Sequence, residues 1–591
     1  MEVNKELNVS ASIKEKYLKV RKMLDEQTAS KSCEFCEPIK ILKEIIEEFN
    51  AIVASSTEPK NEIMILAQTH LNLGIIYLES GETKAAEEQF IMCTDLLKDI
   101  ELEPGSILPM ITALNQLGIL YAQLGEPAKA RISLKKAEEL YTEFTENVRL
   151  APINVGLAIG MEIGGLNAES LLEKLHTLTL YYLAQVYNAL DDKDKFAAYC
   201  HKTLSMQLNQ EDVDYIDWAL NAATLSQYFI GHDNFPQARY HLAAASHILQ
   251  KHQDALEAKG PEETSESIAA EYETYHHRSA DVARCWAKYG ITLLSASKER
   301  LLKKVEQEDE PLSSDLSSTA TESMRSTMEL MRFVDIEPEL EVIACQVTDQ
   351  YLLDFEDARP VFLNVQKWLD EAKTYYTLDS HASDYARIIQ DVSQVYRYLS
   401  FYELHEDRQA KMHKRRIDVL ETVIGELNPQ YYRAICREIW TELGETYSEI
   451  LNIKIDRLQA SNEKPTIHMI TKINHLTKSS INHFRSYLDS LETGKSDDGV
   501  PRYSDDLLYQ ALYTHFHIAR LYNKIITSDL QLRMENTQKS LEAYQSVVNY
   551  CDKHPEKTEE LEKHEFVNLS REFISLLPLT LHRLKQQIID Q

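Results

Sequence analysis

The chain of 591 residues is 43% apolar and 27% charged, a balance typical of soluble globular proteins that excludes wholesale disorder. Its 16 glycines and 16 prolines fall well below the usual levels of about 7% and 5%, which disfavours turn-rich all-β folds and predicts a mostly helical chain. A formal charge of −31 argues against nucleic acid and anionic membranes as main partners and favours basic protein surfaces.

The first recognisable element is a predicted pair of helices that begins near Leu73. A Leu-Gly-x-x-Tyr word is followed by a turn glycine and by a small, a bulky and a small residue, namely Leu73, Gly74, Tyr77, Gly81, Ala86, Phe90 and Cys93. This order is the tetratricopeptide pattern. Gly74 allows two helix backbones to approach closely, and Tyr77 fills the gap beside it because residues three apart share a helix face.

The same pattern recurs along the chain. Further first-helix words begin at Leu117, Leu183, Leu225 and Trp440, and a looser copy begins at Phe516. Second-helix partners follow in register, such as Ala130, Leu134 and Ala137, or Ala238, Leu242 and Ala245. The repetition predicts an all-α, right-handed, tetratricopeptide-like α-solenoid with a groove along its concave side.

Polar and acidic segments interrupt the array and suggest a division into three parts. We expect a tetratricopeptide-like array at 1–250, a connector with acidic loops at 251–335 and a second such array at 336–591. Within the connector, Arg278 to Ser297 is apolar at helical spacing, which predicts a bridging helix that joins the two halves of the solenoid.

Motifs for catalysis or cofactor binding are not found. HExxH, GxSxG and GxGxxG are absent, and Cys33-x-x-Cys36 has no second pair with which to bind zinc. We therefore expect a protein that is not an enzyme, with no cofactor, no metal and no small-molecule substrate. No uninterrupted apolar run is long enough to insert into a membrane. The basic run Lys411 to Arg416 is predicted to pair with carboxylates of the next repeat.

The candidate binding residues lie on the predicted groove side. Tyr182 and Gln185 are three residues apart on one first helix, and Thr224 and Gln227 repeat this spacing on the next, while Gln207 belongs to the second helix between them. Neutral amides and hydroxyls can satisfy the polar groups of a docked helix without desolvating a charge. Ordinary hydrogen bonding between neighbouring helices is the competing interpretation for each single residue.

Several longer words resemble the KIF-binding protein family, also called kinesin-binding proteins. They occur in the family's order over about residues 70 to 580, at Leu180 to Tyr187, Trp218 to Gln227, Lys411 to Arg416, Leu427 to Tyr432, Lys524 to Thr527, Tyr550 to Glu556 and Ser575 to Pro578. The resemblance implies a cytoplasmic, cytoskeleton-associated regulator without enzymatic activity that binds kinesin motor domains. It further implies that the motor contacts Tyr182, Gln185, Gln207, Thr224 and Gln227.

The family resemblance also implies what such binding does. Members hold the motor away from microtubules and thereby influence mitochondrial and vesicle transport, axon growth and spindle organisation. The charge suggests how: the microtubule-binding face of a kinesin is basic because tubulin is acidic, and an acidic solenoid can compete for that face.

Two other functions fit parts of the sequence. The first is a scaffold or adaptor that links kinesin to cargo, which also requires only binding. The second is a chaperone adaptor, whose clamp for acidic tails uses Lys and an Asn directly after the first-helix glycine. Here Ile75, Ile119 and Glu445 occupy that position, and a charge of −31 repels acidic peptides, so this alternative is the weaker one.

Overall fold

The computed structural model describes residues 10–30, 35–57, 59–148, 150–159, 167–210, 213–258, 266–307, 331–460, 465–491, 494–495, 501–554, 561 and 563–590. They divide into two compact units. Unit 1 comprises Met1–Tyr228 and Asp315–Pro338, and unit 2 comprises Phe229–Ser314 and Glu339–Gln591.

Unit 1 is built from helices that follow one another along the chain. They are α1 Ala11–Ser30, α2 Cys36–Ser55, α3 Lys60–Glu79, α4 Thr83–Leu97, α5 Ile107–Gln123, α6 Pro127–Asn147, α7 Val155–Ala158, α8 Ala168–Ala189 and α9 Lys193–Leu208. The next helix, α10 Tyr215–Gly231, begins in unit 1 and crosses the boundary. Sequential helices pack as antiparallel hairpins, α3 with α4, α5 with α6 and α8 with α9.

Unit 2 continues in the same manner. Its elements are α11 Phe235–Ala258, α12 Glu266–Gln307, α13 Glu337–Ala344, α14 Phe355–Tyr375, α15 Ala382–Tyr402, α16 Glu406–Glu426, α17 Arg433–Ala460, α18 Ile467–Ser490, the paired strands β1 Gly494–Lys495 and β2 Pro501–Arg502, α19 Asp505–Tyr522, α20 Leu530–Lys553 and α21 Glu565–Ile589. A 3₁₀ turn, Val334–Ile336, precedes α13, which begins in unit 1. The prediction of an all-α, tetratricopeptide-like solenoid is confirmed.

The small residues of the repeat pattern lie where two helices approach closely. A Cβ atom at any of three first-helix glycines would fall within 2.7 Å of a buried side chain on the second helix. These pairs are Gly74 with Phe90, Gly118 with Leu134 and Gly444 with Phe484. The glycine is therefore needed so that the bulky residue of the partner helix can lie against the backbone.

The turns of the first hairpins share one backbone conformation. Gly81 and Gly125 have φ of 82° and 75°, and Asp191 and Asp233 take the corresponding positions with φ of 59° and 55°. A residue in this left-handed region ends a helix and allows the chain to reverse, which glycine does without strain. The third and fourth turns reach the same geometry with aspartate, a residue that tolerates it better than most.

Gly444→Ala tests the close approach directly. The new methyl group would meet the ring of Phe484, whose exposed fraction is 1% and which has no room to move. We expect the free energy of unfolding to fall by about 1–3 kcal/mol, the usual cost of overpacking. The matched control is Gly425→Ala, where a Cβ meets nothing within 4 Å and should stabilise α16 by about 0.5 kcal/mol. Equal effects of the two changes in chemical denaturation would contradict the packing argument.

The predicted bridging helix is longer than expected and lies within unit 2. Residues 278–297 form the middle of α12, which packs against α11, α14 and α15. Segments 251–258, 266–275 and 298–307 lie in the connector that was predicted to contain acidic loops, but they are helical because the exposed face of a helix can be as polar as a loop. The acidic stretches 259–265 and 308–330 lie outside the described residues. The three-part division at 250 and 335 stays a prediction.

Candidate partner-binding surface

Helix α8 carries the first pair of candidate residues. Its N-cap, Asn167, accepts a hydrogen bond from the backbone N–H of Ser170 at 2.6 Å, which satisfies a free donor at the helix start. One face buries Leu180, Leu183 and other residues against α5, α6 and α9. The opposite face is open to solvent, so that whatever lies on it is available to a partner.

Tyr182 and Gln185 differ in how far they reach this open face. Gln185 is exposed, whereas Tyr182 is half-buried and packs at the edge of a cluster that includes Leu183 and Tyr187. Among the described residues, neither side chain has a hydrogen-bonding partner. Both polar ends are therefore free to bond to another molecule.

The other three candidates lie on α9 and α10. Gln207 is half-buried near the end of α9. Thr224 is exposed, and its hydroxyl donates to the Leu220 carbonyl of its own helix at 2.8 Å. Gln227 is half-buried and donates to the Ser226 hydroxyl at 3.2 Å. The structure thus places the five predicted residues on three consecutive helices of unit 1, each at least partly accessible. Their role in binding stays a prediction.

The end of α9 and the start of α10 are held together by a buried tryptophan. The indole N–H of Trp218 donates to the Leu204 carbonyl at 2.8 Å. Phe333, which belongs to the returning chain segment of unit 1, packs against this layer with ring centroids 5.2 Å from Trp218 and 4.5 Å from His201. Burial lowers the pKa of His201 to about 4, so the ring is neutral at physiological pH. These contacts fix the backbone that carries Gln207 and Thr224.

A buried carboxylate joins α6 to α9. Glu138 accepts hydrogen bonds from Tyr199 at 2.8 Å, from Lys135 at 2.6 Å and from Lys202 at 3.1 Å. Burial alone would raise the pKa of Glu138, but the hydrogen bonds from Lys135 and Tyr199 outweigh it and hold the pKa below its ordinary value. The ring of Tyr199 also stacks on Tyr187 of α8 with centroids 5.2 Å apart. The α8–α9 hairpin is therefore firmly seated on the hairpin before it.

On the open side of α5, α8 and α10, a set of residues in the middle and the C-terminal part of each helix is uncharged. We call this set of exposed or half-buried residues the neutral face: Gln116, Ile119 and Gln123 of α5, Leu178, Tyr181, Gln185 and Asn188 of α8, and Asn221 and Thr224 of α10. In a chain with a formal charge of −31, a surface of amides, a hydroxyl and apolar groups is unusual. Such a surface can be covered by a protein partner without desolvating charges.

Tyr181 belongs to the neutral face, although it is not among the five binding residues predicted from the sequence. Its side chain is 48% exposed, and its ring packs edge-to-face against Tyr182 with centroids 5.3 Å apart. The sequence does contain a signal for Tyr181, because Tyr181, Gln185 and Asn188 follow the spacing of one helix face. Tyr182 lies at the margin of that face. Exposed tyrosines are frequent anchors of protein interfaces.

The part of the chain that the structure describes contains no group of three or more histidine, cysteine, aspartate or glutamate side chains placed to hold a metal ion. None of the described helices combines the length and apolar character that a membrane span requires.

Comparison with known proteins agrees with this architecture. A family model described as "KIF-1 binding protein C terminal" matches residues 216–584. A KIF-binding protein from Gallus gallus is 36% identical over 529 residues, covering 87% of this chain and 87% of the relative. The KIF-binding protein of Drosophila melanogaster is 34% identical over 536 residues, covering 89% of this chain and 86% of the relative.

A solved structure has a similar fold. The cryo-EM structure of KIFBP superposes with a TM-score of 0.63 at 27% sequence identity, covering 97% of this chain and all of the other. This structural match spans both units. The match to the family model begins at residue 216, so it covers α10 but not α8 and α9. The chain belongs to the KIF-binding protein family.

Proposed function

We propose that this protein binds the motor domains of kinesins through the neutral face of unit 1 and keeps them from engaging microtubules. The observation that carries the proposal is family membership, since relatives at 34–36% identity over most of their length are named KIF-binding proteins. Control of organelle and vesicle transport, including that of mitochondria, of axon growth and of spindle organisation would follow from that activity, in a cytoplasmic, cytoskeleton-associated protein that is not an enzyme.

The neutral face supports the proposed mode of binding. Tyr181 and Gln185 of the neutral face, with Tyr182 at its margin, offer two aromatic rings and an amide on one helix. The Gln185 amide and the Tyr182 hydroxyl have no partner among the described residues. Tyrosines supply large contact areas at low entropic cost, and free amides can bond to the ends or side chains of a docked helix. The geometry therefore suits a partner that lays a helix or a loop across α8 and α10.

Charge would act before these contacts form. With a formal charge of −31, the protein attracts a basic surface from a distance, and acidic residues such as Asp214 and Asp217 at the start of α10 lie on the exposed surface. We therefore assign the encounter rate to charge and the lifetime of the complex to the neutral face. Because a kinesin has to bind acidic tubulin, its microtubule-binding face is the complementary surface.

This division of roles predicts a strong salt dependence of association. Raising the ionic strength from about 0.05 to about 0.5 M should slow association with a kinesin motor domain about tenfold or more, with a smaller change in the dissociation rate. Biolayer interferometry on an immobilised motor domain measures both rates. Absence of any binding would reject the proposed function, and an association rate that does not vary with salt would reject the role of charge.

A further inference from the structure

A cavity of about 740 Å³ lies in unit 2, on the side where the second helices of two successive hairpins separate. Helices α16 and α18 lie on its two sides, and apolar side chains of α16, α17 and α18 together form its floor. It lies in a different unit from the neutral face. Its lining residues are Asp407, Ala410, Lys411, Lys414, Ile417, Tyr447, Ile450, Lys454, His468, Thr471, Lys472, His475 and Leu476.

The rim of this cavity is positively charged in a strongly acidic protein. Four lysines and a single acidic residue, Asp407, are among its lining residues. Asp407 is already bound by two cations, Lys454 at 3.2 Å and Arg457 at 2.7 Å. Lys414 pairs with Asp418 at 2.8 Å. The lysines of the rim are therefore only partly neutralised.

Two of these lysines are available for a ligand. Lys411 of α16 and Lys472 of α18 are exposed and come from opposite walls. Within the described residues, neither forms an ion pair. The basic run that contains Lys411 was predicted to pair with carboxylates of the next repeat. That prediction is confirmed for Arg416, which contacts Glu442 and Glu449, but it does not account for Lys411.

The floor of the cavity is apolar. It is formed by Ala410, Ile417, Ile450 and Leu476, which are all buried, together with the ring of Tyr447. The Tyr447 hydroxyl donates to Glu421 at 2.6 Å, which fixes the ring in place. An apolar group that covers such a floor binds favourably because apolar surface is removed from water. At the rim above, a negatively charged group binds favourably because it pairs with the lysines.

The size of the cavity narrows the class of ligand. Pockets of about 300–1,000 Å³ are typical of small organic molecules, and an inorganic phosphate alone would leave most of this one filled with water. A ligand that matches both parts needs an apolar portion for the floor and several anionic groups that reach lysines on both walls. Lysine is a common partner of phosphate groups, and the rim histidines His468 and His475 add further hydrogen-bonding groups.

We propose that this cavity is a binding site for a small organic polyphosphate. The phosphates would contact Lys411 and Lys472 with support from Lys414 and Lys454, and the apolar part of the ligand would lie on Ile450 and Tyr447. The proposal does not depend on kinesin binding, since it concerns other residues in the other unit.

Isothermal titration of the full-length protein with ATP, without divalent cations, tests the site. We expect saturable binding at one molecule per chain, with weaker binding of tripolyphosphate because it lacks an apolar portion. Lys411→Gln combined with Lys472→Gln should raise the Kd for ATP at least about tenfold, since each variant side chain loses the charge that would bind a phosphate group. Both lysines are exposed, so the double variant should unfold at the same temperature as the parent protein.

The matched control removes the same charge elsewhere on unit 2. Lys563→Gln combined with Lys585→Gln changes two exposed lysines that do not line the cavity and should leave the Kd unchanged. Failure of ATP to bind, or an equal Kd in the cavity variant and the parent protein, would overturn the proposal. Saturable binding of an acidic peptide in place of ATP would overturn it in favour of a peptide site.

Discussion

Arg416→Ala is expected to lower the free energy of unfolding by about 3–5 kcal/mol, the usual cost of removing one partner from a buried ion pair. The Arg416 guanidinium is fully buried and bonds to groups on two neighbouring helices of unit 2. Its partners are Ser393 of α15 at 3.1 Å, Glu442 of α17 at 3.3 Å and Glu449, also of α17. Without it, two carboxylates lose their main cation.

A control for this variant lies two residues away. Lys414 is exposed and pairs with Asp418 one turn along the same helix. Lys414→Ala should cost less than about 0.5 kcal/mol, because surface pairs are screened by water and salt. Denaturation by urea, followed by circular dichroism, measures both variants. Similar losses for Arg416→Ala and Lys414→Ala would show that the buried network contributes no more than a surface pair.

The same network predicts a pH dependence. Burial alone would raise the pKa of Glu449, but the hydrogen bond from His413 and the charge of Arg416 outweigh it and lower the pKa to about 2. A lowered pKa in the folded state stabilises the protein above the unfolded value, and this stabilisation is lost as the pH falls towards the folded value. The difference in stability between the parent protein and Arg416→Ala should therefore shrink as the pH falls from about 5 to about 2.

Tyr182→Ala combined with Gln185→Ala is the second change with a large expected effect. An interface tyrosine is often worth about 2 kcal/mol or more and a hydrogen-bonded amide about 1 kcal/mol, so we expect the Kd for a kinesin motor domain to rise about 100-fold. Most of the change should appear in the dissociation rate, because the charge that governs encounter is unaltered. Interferometry with an immobilised motor domain gives both rates.

Two controls separate binding from folding in this experiment. Tyr182 is half-buried at the edge of the cluster that includes Leu183 and Tyr187, so Tyr182→Phe keeps its packing and removes only the hydroxyl. Glu88→Ala alters an exposed residue of α4 that lies off the neutral face. The helical content of each variant should match that of the parent protein, and the melting temperature of Tyr182→Phe and of Glu88→Ala should be unchanged. A double variant that is folded and binds the motor with unchanged rates would remove α8 from the proposed interface.

The hairpins could be predicted from sequence because their determinants are local. Gly118 and Leu134 lie on the two helices of one hairpin, and the turn at Gly125 lies between them, so spacing alone reveals the packing. The candidate residues of α8 and α10 were found for the same reason. Helical spacing predicts which side of each helix is exposed. On α8, however, the predicted residue Tyr182 lies at the margin of the exposed face and not at its centre.

The remaining features depend on contacts between distant parts of the chain. Nothing in the sequence around Phe333 indicates that it packs against Trp218 and His201, because all of α11 and all of α12 lie between these residues along the chain. The basic run at 411–416 likewise does not show which of its cations is buried. Arg416 and Lys411 lie on different faces of the same helix, and the neighbouring helices decide which face is covered.

Microtubule co-sedimentation of a kinesin motor domain tests the central claim most directly. The motor should bind to microtubules and pellet on its own, and it should move to the supernatant when this protein is added in excess. The variant with Tyr182→Ala and Gln185→Ala should leave the motor in the pellet. If the motor pellets equally with and without the protein, or carries the protein into the pellet with it, the protein does not block the motor's microtubule-binding face, and the second outcome would favour a cargo adaptor.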